Sequence, residues 1–295
     1  MSATTSAAGA TPAQAAQTAS ALATNPNPSL PPLDGEALAK LVEGSSDAKD
    51  KHLVIRKLTD EIVIFSQPFT RSGLLSLGGR STAVRLPSGV FVYASHPYTA
   101  ATQNAMDLIG GKVKWLVTPD GEHSMFIDEW VKAFPDAKPI GVKRHQEKKP
   151  HINWAGLFGA GGEDQTYGFE PDISLHQVSA HVNHELVAIH HPSGTLLEAD
   201  MLFNLPPKEQ YSRAGGLPFF TRLAGGMSSF SPGGTAQGLM AKSVASDKET
   251  DDPRLLKKEL QPIVAAKFDR IVPCHGDVIE TGGKVEWDKV WGKYA

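Results

Sequence analysis

The sequence predicts an α/β domain of two layered sheets, and three observations point there. Short apolar strand segments cluster early in the chain. Helical segments then alternate with strands, and the same succession returns in the second half. Proline–glycine turns punctuate both halves, which suits two packed sheets better than one doubly wound sheet.

Taken in order, residues 1–35 are almost entirely Ala, Thr, Ser, Gln, Asn, Pro and Gly, with prolines gathered between Pro26 and Pro32. Such a segment cannot bury enough apolar area to offset its ordering entropy, so a disordered tail is expected over 1–35 and the folded domain over 36–295. A short helix from about Asp34 would place Leu38, Leu41 and Val42 on one face. From His52 the pattern turns to strands: Val54-Ile55, Ile62–Ile64, Ser81–Leu86 and Val90–Ala94, the last two joined by the turn Pro87-Ser88-Gly89. A helix fits Pro97–Ile109, and Gly110-Gly111 stops it. Val113–Val117 reads as a buried strand ending at Thr118. Phe126, Trp130, Val131 and Phe134 mark the face of a helix that Pro135 breaks.

The second half brings strands at Ile173–Val178, Glu185–His190 and Thr195–Ala199, with Pro192-Ser193-Gly194 as a turn. Residues 204–250 read as one long irregular stretch rich in Gly, Pro and Ser, of the kind that is functional or disordered in compact domains. Asp251-Asp252-Pro253 offers an acidic helix start with proline in the first turn. Phe268–Val272 is a last strand and Val285–Trp291 a closing helix.

Composition narrows the function classes. The chain has 295 residues, 40% of them hydrophobic and 21% charged, with net charge −3, so no field draws it to nucleic acid or to an anionic membrane. No stretch approaches the ~18 apolar residues of a membrane span. The N-terminus lacks a basic segment followed by an apolar one, and the first arginine is Arg56, so neither a secretory nor a transit signal is read. The lone cysteine, Cys274, excludes an internal disulfide and a Cys-based zinc cage. The expectation is a soluble, cytoplasmic protein of undetermined oligomeric state.

The sharpest chemical signal is Ile271-Val272-Pro273-Cys274-His275-Gly276-Asp277, where an apolar strand delivers a histidine and a glycine turns the backbone away. The second is Thr195–Asp200, an apolar strand ending on an aspartate before another apolar run. A carboxylate there needs a partner, a hydrogen bond or a metal, although an aspartate after a strand also forms turns. His145, His151, His176, His190 and His191 read as surface or packing residues, and Trp154, Phe158, Phe219 and Phe220 as core rather than pocket wall.

Together these segments resemble the metallo-β-lactamase superfamily, whose second half has a strand closing on Gly-Asp and a later one closing on Pro-Gly-His-Gly. Here these stand as Ala199-Asp200 and Pro273-Cys274-His275-Gly276. The family's Gly-His-Thr histidine precedes that aspartate by about nineteen residues, which lands on His181, with His184 as an alternative. The signature H-x-H-x-D-H is rewritten as Thr118-Pro119-Asp120-Gly121-Glu122-His123, so Thr118 and Asp120 stand for the first two histidines and Glu122 for the aspartate. Val92–Pro97 also lacks the family's early aspartate. Asp120-Gly121 is equally a turn, and Glu122 equally the acidic first turn of the following helix.

The resemblance covers roughly residues 52–285 and implies a four-layer αβ/βα sandwich. It implies metal ligands Glu122, His123, Asp200 and His275, with His181 or Asp120 orienting a water or a weak second ion. One divalent ion is implied, zinc first and iron or manganese as alternatives, with the second weakly held or absent. The implied activity is hydrolysis of a small ester, lactone, thioester or amide by a metal-activated water. The alternative, from another class, is a degenerate fold that binds a ligand or partner and catalyses nothing. A redox metalloprotein ranks below both, since no flavodoxin-like segment follows.

Overall fold

The computed structural model describes residues 32–73, 75–223, 225–244 and 253–295, and places them in one unit. Residues 1–31 of the expected tail, and the expected acidic cap Asp251-Asp252, lie outside the described residues. The tail boundary moves, however. Leu33 is buried in the core, and the Asp34 side chain caps the helix Gly35–Lys40 through the backbone N–H groups of Glu36 and Ala37, so residues 32–35 belong to the domain.

The strands are β1 (Val54–Lys57), β2 (Ile62–Gln67), β3 (Thr70–Arg71), β4 (Leu75–Ser76), β5 (Gly79–Leu86), β6 (Gly89–Tyr93), β7 (Val113–Val117), β8 (Lys138–Val142) and β9 (Gly156–Phe158) in the first half. The second half contributes β10 (Ile173–Val178), β11 (Glu185–His190), β12 (Thr195–Glu198) and β13 (Arg270–Pro273). One sheet runs β1-β2-β5-β6-β7-β8-β9, antiparallel as far as β6 and parallel beyond. The other runs β10-β11-β12-β13, with only β12 and β13 parallel. The pair β3-β4 is a separate hairpin.

Period-two alternation explains the layers. In β2, Ile62 and Ile64 face the second sheet, while Val63 and Phe65 face helices. In β11, Leu186 and Ala188 meet the first sheet, while Val187 and Ile189 turn to the other helix layer. The inter-sheet core adds Phe91, Tyr93, Trp115 and Val117 against Leu197 and Val272. The helix Ala100–Ile109, capped by Thr99 and ended by Gly110 at φ 69°, lays Ala101, Ala105, Met106 and Ile109 on one outer face. The helices Pro253–Ala265 and Gly283–Trp291 cover the other with Leu256, Leu260, Ile263, Trp287 and Trp291. The result is the expected four-layer αβ/βα sandwich.

Two stretches differ from the sequence reading. The strands β8 and β9 carry no clean alternation, and Pro139 and Gly141 interrupt the apolar signal, yet β8 pairs with both neighbours. The stretch 204–250 is not uniformly irregular. It holds the helices Lys208–Tyr211, Phe219–Leu223 and Thr235–Val244, the last with Ala241 in the core. Among the described residues, no helix is long and apolar enough to cross a membrane.

Candidate metal centre

The loops that follow β7, β10, β12 and β13 bring His123, His181, Asp200 and His275 to one edge of the sandwich. His123, Asp200 and His275 each offer a ligand atom within 4.8 Å of the other two. The Nε2 atoms of His123 and His275 are 3.2 Å apart, and His275 Nε2 lies 3.3 Å from Asp200 Oδ1. A tetrahedral ion with bonds of about 2.0–2.1 Å spaces its ligand atoms about 3.3 Å apart, which both separations match. The donor set, two imidazoles and a carboxylate, suits zinc, iron or manganese. Asp200 Oδ1 is buried and makes no hydrogen bond of good geometry, as a group awaiting an ion would.

Each imidazole is turned by a second contact. His275 Nδ1 donates to the carbonyl of Gly78 at 2.7 Å, so its Nε2 lone pair faces the centre. His123 Nδ1 lies 2.9 Å from Asp120 Oδ2. Burial alone would lower the pKa of His123, but the charges of Asp120 and Asp200 outweigh it and hold the ring up at about 9. A proton on His123 Nε2, shared toward His275, therefore occupies the position an ion would take, and metal binding must displace it. Burial likewise works to raise the pKa of Asp200, yet His123, His275 and His181 hold it well below the usual carboxylate range.

The His275 turn is clasped from behind. Arg80, wholly buried on β5, donates to the carbonyls of Pro273 at 2.5 Å and Gly276 at 2.8 Å. Gln210 donates to the Cys274 carbonyl and accepts from the Gly276 N–H, at 2.7 and 2.9 Å. Gly276 sits at φ 101°, where a Cβ would fall 2.2 Å from the Asn204 carbonyl oxygen, so glycine is required. The loops carrying His123 and His181 are joined by Gly121 N–H to the Asn183 carbonyl and by Leu186 N–H to that of Pro119, at 2.9 and 2.8 Å.

Not every residue expected at the site reaches it. Glu122 lines the cleft beside His123 but is drawn off the centre: its carboxylate meets Lys148 at 2.6 Å, and its side chain is 47% exposed. The reason is the turn. Asp120 Oδ1 accepts the N–H groups of both Glu122 and His123, which folds the chain so that His123 faces inward and Glu122 outward. Asp120 is wholly buried and spends its carboxylate on that turn and on His123, so it positions the histidine and does not face a substrate.

His181 is buried beside Asp200, and burial pushes its pKa down. Its Nδ1 accepts the Asn183 N–H at 3.2 Å, which puts the proton of the neutral ring on Nε2, and that Nε2–H makes no hydrogen bond of good geometry, its ring having only a weak contact with the Asp200 backbone. Thr118 Oγ1, also buried, has none. His184, the alternative to His181, lies 3.1 Å from Arg144 Nη2 through its Nε2, and His96 and His145 are buried against aromatic rings, where burial depresses their pKa values to about 3 and about 4.

Sequence reasoning missed the support of Asp200. Glu185 accepts the N–H groups of Ala199 and Asp200 at 2.7 and 2.8 Å, and Glu198 accepts that of Leu202 at 2.9 Å. Burial raises both pKa values well above the ordinary carboxylate value, with the charge of Glu198 adding to it for Glu185 and that of Asp200 for Glu198. A glutamate inside the apolar run Leu196–Ala199 was the available signal. Asn183 was missed too; its Nδ2 donates to Asp200 Oδ2 at 2.6 Å.

Two clefts open on the centre. One, of about 220 Å³, is lined by His123 and His275 with Phe69, Ser95, Glu122 and Met125; the other, of about 380 Å³, is lined by His181, Asn183 and Asp200 with Phe203, Phe230 and Met240. The stretch after Asp200 thus supplies much of the second cleft's wall.

No family model matches the chain, and no curated protein matches it. Solved structures do. A metallo-β-lactamase from Hirschia baltica aligns at TM-score 0.51 and 8% identity, over 81% of this chain and 96% of that one. The metallo-β-lactamase FIM-1 from Pseudomonas aeruginosa, in its mono-zinc form, aligns at 0.50 and 9%, over 82% and 94%. A flavo di-iron protein variant from Thermotoga maritima aligns at 0.55 and 12%, over 82% of this chain and 61% of that one. The chain has the metallo-β-lactamase fold.

Proposed function

We propose that the protein is a metal-dependent hydrolase of a small ester, lactone, thioester or amide, working with one divalent ion, zinc in first place. The observation that carries this reading is the spacing of His123 Nε2, His275 Nε2 and Asp200 Oδ1, with both rings fixed from behind by Asp120 and Gly78. A divalent ion held by these three residues supplies an activated water at neutral pH and polarises an acyl oxygen. His181 lines the adjoining cleft with its Nε2–H buried behind the surface, and on this reading that N–H donates to the acyl oxygen as negative charge gathers there. The mono-zinc lactamase of the same fold is compatible with a single ion, though at 9% identity it argues for the fold alone.

The restriction to one ion rests on Asn183, Thr118 and His181. Asn183 donates to Asp200 Oδ2 at 2.6 Å, which leaves that oxygen less available to a second ion. Thr118 offers only a hydroxyl, and His181 turns a protonated nitrogen to the site.

The test is elemental analysis of protein purified without added metal, followed by assays of lactones, esters and thioesters before and after chelation. About one equivalent of ion, and turnover lost on chelation and restored by zinc, is the expected result. Two equivalents surviving a mild chelator would overturn the single-ion reading. Tight metal retention with no turnover of any acyl substrate would overturn the hydrolase.

A further inference from the structure

Arg71 is the one residue that lines both clefts, and neither lining holds another guanidinium or ammonium group. It is exposed and has no ion-pair partner among the described residues, although most other arginines here are tied into ion pairs or carbonyl contacts. It is not on a loose arm. Arg71 pairs with Leu75 across the β3-β4 hairpin. The base of that hairpin is pinned by Thr70 Oγ1 to the Tyr211 hydroxyl at 3.0 Å and by Ser76 Oγ to Thr221 Oγ1 at 3.1 Å. The larger cleft between Arg71 and the buried polar end is apolar, walled by Leu77, Phe203, Met227, Phe230 and Met240. At that polar end stand Asp200 Oδ1 and His181 Nε2, both without a hydrogen-bond partner.

We infer that the substrate carries a carboxylate which docks on Arg71, joined by an apolar segment to the acyl group at the metal centre; this rests on the hydrolase reading above. A guanidinium fork matches a planar carboxylate with two parallel N–H donors. A phosphate fits less well, because its charge of nearly two would face a single cation in linings that also hold Glu122 and Asp200. The substrate class is therefore the monoester or monothioester of a dicarboxylic acid, or a lactone bearing a carboxylate. Hydrolysis adds one water across the acyl bond, releasing the diacid and the alcohol or thiol from the ester or thioester, and opening the lactone to a single hydroxy diacid.

The experiment compares two matched probes, phenyl hexanoate and the monophenyl ester of adipic acid, on zinc-loaded wild type, Arg71→Leu and Arg71→Lys. In parallel, binding of hexanoate and adipate is measured by calorimetry. A charge-assisted contact of this kind is expected to favour the carboxylated ester about tenfold or more in kcat/KM, mainly through KM. Arg71→Leu should abolish that preference while leaving phenyl hexanoate turnover and the circular dichroism spectrum as they are, and Arg71→Lys should keep only part of it. Equal kcat/KM for the two esters in wild type, or an undiminished preference in Arg71→Leu, would overturn the assignment. If neither ester is turned over, the hydrolase reading fails. Adipate binding tighter than hexanoate only when Arg71 is present would still support the carboxylate site, and equal binding would remove it.

Discussion

The two sides of the metal centre are made by neighbouring loops but are matched very differently. Around His123 and His275 each ring nitrogen has a partner: Asp120 and Gly78 behind, and the facing Nε2 in front. Around His181 and Thr118, two buried polar atoms have none. An unmet buried donor costs about 1–3 kcal/mol, so it persists where something else satisfies it or where it serves a purpose. On the reading proposed above, the His123–His275 side holds the ion together with the unpaired Asp200 Oδ1, and the His181 side receives an oxygen from the ligand. Thr118 and Asp120 stand on different sides of this contrast: Thr118 Oγ1 is unpaired, while the Asp120 carboxylate supports His123.

The largest effect should come from the matched side. Asp200→Ala and His275→Ala should each weaken metal affinity beyond the ~10–100-fold typical of losing a supporting contact. His181→Ala, on the unmatched side, should leave metal content near wild type while lowering kcat about 10²–10³-fold, the loss expected for an oxyanion donor. Metal content and kcat for the three variants side by side decide it. Full metal in Asp200→Ala with loss in His181→Ala would reverse the roles of the two sides.

Next comes Asp120→Asn, which should weaken metal binding about 10–100-fold because it removes the charge behind His123, as competition titrations with a chromophoric chelator would measure. The same pair sets a pH dependence. The folded pKa of His123 is raised to about 9, so its proton stabilises the metal-free protein fully below the unfolded value of about 6.5. That contribution is lost as pH rises through about 9. Metal-free wild type should accordingly lose melting temperature across this window, with the slope flattened in Asp120→Asn.

The smallest effect belongs to Glu122. Its carboxylate spans the surface to Lys148, and an exposed pair of this kind contributes about 0–1 kcal/mol. Glu122→Ala should leave metal affinity within about twofold of wild type. A loss as large as that of Asp120→Asn would show that the turn rearranges around the ion and brings Glu122 in.

The sequence by itself determined the sandwich and the surest corners of the site. Alternation in Ile62–Phe65 and Glu185–His190 sorts side chains to two faces, and strands that end on Asp200 and His275 deliver polar groups to a common edge; both are short-range patterns. What it left open was local direction. Asp120, Glu122 and His123 lie within four residues, and composition alone makes each a ligand candidate; only the folded turn sends Glu122 outward and Asp120 beneath His123. Asn183, Arg80, Gln210 and Glu185 were illegible for a related reason. Each acts on a residue far away in the chain or on a backbone group across a sheet, and no sequence period records which distant carbonyl or N–H a buried polar side chain will meet. The tertiary structure decided that pairing, because a buried polar atom must take whatever partner the packing of the layers leaves within reach.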